Sequence, residues 1–167
     1  TVKATDSRND LVTETQYNQT FPYIGRTEKV TVWNGSNKVS ESDPDWTKNS
    51  VAGVADSNHT AGQYHFVHLD QQVDTEYEVD SGGSYNGSLV RTVTRDTTFA
   101  SPNDWDYTQG APHRETVTVT PASGTTLTTT TDRTFATLTT AWCLGLPSAV
   151  AVNKSDGNSN STRNTAY

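Results

Sequence analysis

Four histidines (His59, His65, His68 and His113) and three close acidic pairs are the residues of this chain that invite a search for metal or acid–base chemistry. Side chains alternate along a strand, so His65 and His68 of HFVH point to opposite faces and form no chelating pair. His68 and Asp70 share a face, and His113 can approach them across a sheet; solvated or structural histidines are the expectation. Glu76 and Glu78 also share a face, as alternating polar positions do on any half-exposed strand, and acid–base work needs carboxylates in contrasting environments. Asp43 with Asp45, and Asp104 with Asp106, could reach calcium from loops, but neither DPD nor DWD has EF-hand spacing. HExxH, GxSxG and a phosphate-cradling glycine loop are all missing from the sequence. The expectation is therefore no enzyme, no catalytic residue, no metal site and no cofactor. Cys143 stands alone, so it forms no intrachain disulfide and reads as a small apolar residue.

A second chemistry is anion binding. Arg91 and Arg95 lie on one face of a long strand, separated by Val93, and Arg114 stands beside Thr116 and Thr118 on another. Were these strands neighbours, Arg91, Arg95, Arg114, Thr116 and Thr118 would form a small surface able to hold phosphates and hydrogen-bond bases. The competing reading is a solvated face on which arginine stems cover apolar surface. The net charge of −7 counts against wholesale attraction to nucleic acid or an anionic membrane, and leaves a local basic face open.

The elements that must position these residues are mostly strands. With 31% hydrophobic residues and a mean hydropathy of −0.71, the chain reads as one thin β domain with long polar loops. Its four Trp, seven Tyr and four Phe argue against full disorder. A partner subunit would supply burial that one chain lacks. Lys29–Trp33, Asn34-Gly35 and Ser36–Val39 read as a hairpin with a two-residue turn. Residues 40–62 and 100–112 read as loops, with Trp46 anchoring the first. Strands are expected at Gln63–Gln71, Thr75–Val79, Ser88–Phe99 and His113–Thr120. Beyond them, Phe135, Leu138 and Trp142 recur at helical spacing, with Leu146 continuing the stripe and Asp132 in the first turn. Gly145 and Pro147 would stop this helix.

The expected fold is thus α+β, mainly β: N-terminal strands and hairpin in 1–40, a main antiparallel sheet of about five strands in 63–120, a C-terminal helical segment in 130–153 and a polar tail in 154–167. Phe135, Leu138, Trp142 and Leu146 are the expected dimer interface, the helix packing on a partner subunit.

Strands followed by a helical segment, then LPSAVAVN at 146–153 and a final Tyr167, resemble the coat proteins of single-stranded RNA bacteriophages. The likeness covers residues 51–153 as an order of elements and LPSAVAVN as letters. It implies a capsid protein that dimerises edge to edge and self-assembles into an icosahedral shell. The partners would be a second copy and viral single-stranded RNA, without a membrane, and the location would be the virion. It also implies binding of an RNA hairpin as a translational repressor. The alternative is an extracellular or virion-surface β module, a decoration, tail or pilin-like protein. Such a module would contact glycans or neighbouring subunits through Trp46, Trp105 and Tyr107.

Overall fold

The computed structural model describes residues 1–6, 8, 10–50, 65–79, 87–97, 105–106, 111–135 and 146–166; the side chains of 49, 50, 65, 66, 105, 106 and 111 are outside that description. Twelve strands run in chain order: β1 (Val2–Asp6), β2 (Leu11–Tyr17), β3 (Thr27–Asn34), β4 (Asn37–Ser50), β5 (His65–Tyr77), β6 (Leu89–Asp96), β7 (Trp105–Asp106), β8 (Ala111–Pro112), β9 (Arg114–Pro121), β10 (Leu127–Phe135), β11 (Pro147–Ser155) and β12 (Asn160–Ala166). Ten of them form one sheet in the order β1-β2-β3-β4-β5-β6-β9-β10-β11-β12, while β7 and β8 pair separately. Every neighbouring pair in the large sheet is antiparallel. It is therefore an up-and-down meander, ordered as the chain is.

The α+β expectation is overturned: the described residues contain no helix, and the sheet has ten strands rather than about five. The segment expected to be a C-terminal helix supplies β10 and β11, which pair from Thr128↔Ser155 to Phe135↔Pro147. Local chemistry explains the change. Thr128–Thr131 and Thr134 are β-branched and lose side-chain freedom in a helix, whereas a pleated strand accommodates them. Asp132, expected in a helical first turn, instead sits opposite Arg114 on β9. Of the expected stripe, Phe135 ends β10 and Leu146 is exposed just before β11; Leu138 and Trp142 lie outside the described residues. The expected polar tail also folds: β12 pairs with β11 along its whole length. Asp156 closes that hairpin by accepting hydrogen bonds from the backbone N–H groups of Asn158 and Ser159.

The expected loop at 40–62 begins as strand, with β4 running to Ser50. Pro44 fits there because the pairing of β3 with β4 starts at Val30↔Ser42, leaving no β3 ladder for Pro44 to complete. The expected hairpin exists, but its two-residue turn is Gly35-Ser36 rather than Asn34-Gly35: Asn34 pairs with Asn37 and Gly35 takes the left-handed region at φ 59°.

Among the described residues no apolar side chain is buried; Thr31, His68 and Thr97 are the buried ones. Thr97 anchors its position by donating from its hydroxyl to the carbonyls of Leu69 and Asp70. The described sheet is one layer, and its two faces carry different chemistry.

Candidate nucleic-acid interface

Register and alternation assign each side chain to a face. On β6 and β9, Arg95 lies opposite Val117 and Val93 opposite Val119. Val117 continues to Thr129, Lys154 and Ser161 across β10, β11 and β12. One residue pair along, Glu115, Thr131, Val152 and Arg163 form the next row, and Arg133, Val150 and Thr165 the third. These rows define an arginine face. The opposite, threonine face carries Thr94, Thr118 and Thr128 in one row and Asp96, Thr116, Thr130, Asn153 and Thr162 in the next.

This geometry splits the five residues expected to bind RNA. Arg91 and Arg95 stand on the arginine face, whereas Arg114, Thr116 and Thr118 stand on the threonine face. The strands are neighbours, as the expected site required, but their register pairs odd residues with odd ones and sends Arg114 to the other side. There Arg114 is ion-paired with Asp132, and the Thr116 and Thr130 hydroxyls lie 3.4 Å apart.

Arg91 is also committed. Its guanidinium donates two hydrogen bonds, at 2.8 and 2.7 Å, to the Glu76 carboxylate across β5 and β6. The pairing holds the Glu76 carboxyl below its ordinary value and raises Arg91. Arg95 differs. It shares one carboxylate, Glu115, with Arg133, each guanidinium 3.0 Å from it. A single negative charge cannot neutralise two guanidinium groups. Arg133 Nη2 donates to Glu115 Oε2, whereas Arg95 Nε lies 3.0 Å from Oε1 without hydrogen-bond geometry, and Arg133 Nη1 is buried with no acceptor among the described residues.

Three residues of this surface were missed from the sequence: Arg133, Lys154 and Arg163. Arg133 falls in the expected helical segment and the other two in the expected polar tail. A usable signal was the period-2 run Val150, Val152, Lys154. Lys154 and Arg163 are exposed and make no ion pair with another described residue. On β6 and β9–β12 the arginine face thus carries Arg91, Arg95, Arg133, Lys154 and Arg163 against one carboxylate, Glu115. Beside Arg133, whose N–H donates to the His113 carbonyl, the rings of His113 and Phe135 meet at 5.2 Å between centroids.

The acidic charge lies elsewhere in the sheet. β1–β5 hold Lys3, Lys29, Lys38 and Lys48 against nine carboxylates: Asp6, Glu14, Glu28, Glu41, Asp43, Asp45, Asp70, Asp74 and Glu76. β6 and β9–β12 hold six cations against Asp96, Glu115 and Asp132. A chain of net charge −7 therefore presents one acidic and one basic half-sheet.

The remaining candidates are placed as follows. His68 is buried, with Nδ1 3.4 Å from the Leu69 carbonyl oxygen. Among the described residues no cluster of three His, Cys, Asp or Glu side chains is arranged to hold a metal. Trp46 lies under the Arg26 guanidinium at 4.9 Å and donates from Nε1 to the Thr27 carbonyl, so it serves as a pin between β3 and β4. His59, Asp104, Tyr107 and Cys143, and the side chains of His65, Trp105 and Asp106, lie outside the description. No helix among the described residues is long and apolar enough to cross a membrane.

No family model, no curated protein and no solved structure matches the chain.

Proposed function

We propose that this chain is a coat-type structural subunit of a virion, which self-associates and packages single-stranded RNA against the arginine face of β6 and β9–β12. The observation that carries the proposal is the charge on that face: with Arg91 neutralised by Glu76, four cations (Arg95, Arg133, Lys154 and Arg163) stand against one carboxylate, Glu115, within an acidic chain. Such a surface attracts a polyanion locally while the rest of the molecule repels it, which orients the subunit on RNA. Threonines and valines between the cations leave a shallow, sequence-tolerant surface, and the His113–Phe135 ring pair offers a place for an unpaired base to stack.

Self-association is supported by the absence of a buried apolar side chain among the described residues. Folded domains ordinarily bury sheet faces against a second layer, and a copy of the subunit can supply one. Shell formation, the virion location and the RNA as cargo draw on the LPSAVAVN resemblance. The reading contains no catalytic step. Pinned beneath Arg26, Trp46 is a poor platform for glycans, which weakens the surface-module alternative.

The test is binding of a fluorescent single-stranded RNA to the protein over a range of salt. The reading expects log affinity to fall linearly with log salt, by about 0.7 for each phosphate contact. Arg133→Ala, Lys154→Ala and Arg163→Ala combined should flatten that slope. Salt-independent binding, or a slope untouched by the triple variant, would refute the assignment of this face.

A further inference from the structure

The two edges of the ten-stranded sheet are complementary. Alternation over ten antiparallel strands makes β1 and β12 run in opposite directions. When a second copy is placed in the same orientation beside the first, β12 of one and β1 of the next meet antiparallel, as the existing neighbours do. The edges also differ in charge, because β12 closes the basic half-sheet and β1 the acidic one. Neither edge carries a strong block. β12 has no proline and one charged residue, Arg163; the two charges of β1 are paired at the surface within the chain, Lys3 with Glu14 and Asp6 with Arg8. An unblocked edge offers a row of N–H and C=O groups to another strand.

We propose that successive copies of this chain join head to tail, β12 of one pairing antiparallel with β1 of the next, so that the sheet continues from copy to copy. Matching faces and overlapping all five residues of β1 puts Ala4 opposite Arg163 and Thr5 opposite Thr162. The arginine face then remains open for RNA, and Arg163 lies diagonal to Asp6. A head-to-tail contact makes rings when its rotation closes and filaments when it does not. The inference deepens the self-association half of the proposed function; the closed shell rests on that reading, and the edge pairing rests on strand direction and charge.

Mixed-disulfide trapping tests it. Thr5→Cys and Thr162→Cys proteins are purified separately, mixed and oxidised, and the same is done with Ala4→Cys and Arg163→Cys. Adjacent pairs sample both kinds of antiparallel site, each with Cα separations that a disulfide can span. Cys143 is common to all samples, so single-variant samples control for it. The expected result is a cross-linked dimer that forms only in a mixture and whose yield falls at high salt. Cross-linking of single variants at the level of the mixtures, or none in either mixture while unmixed variants keep their β-sheet circular dichroism, would overturn the proposal. RNA titration of the Thr5→Cys and Thr162→Cys preparations, which leave the arginine face intact, separates the two readings. Mixture-specific cross-links without RNA binding sink the packaging role, and RNA binding without them sinks the edge contact.

Discussion

Arg95 and Arg133 stand two strands apart, on β6 and β10, and reach from opposite sides to one carboxylate, Glu115, at 3.0 Å each. An isolated cross-strand ion pair neutralises itself, as Arg91 and Glu76 do. Two guanidinium groups on one carboxylate leave a positive charge fixed in place on the sheet. Lys154 and Arg163 extend that charge over β11 and β12.

Glu115→Gln removes the carboxylate from this surface. RNA affinity at low salt should rise roughly fivefold, the effect of about one unit charge near a solvated surface. The salt dependence should steepen by about 0.7 for each guanidinium released. Fluorescence anisotropy of a labelled oligonucleotide measures both quantities, and an unchanged affinity would mean that RNA does not meet this face.

Arg114→Ala is the opposite-face control. It frees Asp132 and loosens the tie between β9 and β10, lowering stability by about 0–1 kcal/mol in urea unfolding. RNA affinity should stay within twofold of the parent. A loss as large as that from Arg133→Ala would place RNA on the threonine face.

Pairing with Arg91 lowers the Glu76 carboxyl from its ordinary value of 4.5. A carboxylate depressed in the folded state stabilises the fold fully above its unfolded value and loses that contribution as pH falls through the folded one. The urea midpoints of the parent and Glu76→Gln should therefore differ at neutral pH and converge as pH drops below 4.5. A constant difference down to about pH 2 would show that the ion pair contributes nothing to stability.

Gly35 holds the left-handed position of the β3–β4 turn, and open space surrounds the site where a Cβ would stand. Gly35→Ala should cost about 1 kcal/mol through backbone strain alone, with an unchanged denaturant slope. No destabilisation would mean that the turn relaxes to another type.

The sequence made some of this architecture legible. Asn34-Gly35 marked the β3–β4 hairpin to within one residue, and the alternation of Val117 and Val119 marked β9. The expected helical stripe starts at Phe135, which ends β10 behind the strand-favouring Thr128–Thr131; Leu138 and Trp142 lie outside the described residues. Pairing to β9 and β11 settles Leu127–Phe135 as extended. β12 has almost no apolar alternation; its partner β11 defines it. The arginine face was illegible for a related reason. Which of Arg91, Arg95, Arg114, Arg133 and Arg163 share a side depends on register between strands, and a shift by one residue exchanges the faces.

The most direct test of a coat-type, RNA-packaging subunit is the nucleic-acid content of the assemblies formed when the protein is expressed alone, purified by size and imaged by electron microscopy. The account predicts closed particles containing single-stranded RNA, with that RNA lost or sharply reduced when Arg133, Lys154 and Arg163 are all replaced by alanine. Small soluble species free of RNA, or particles whose RNA content ignores the triple replacement, would contradict it.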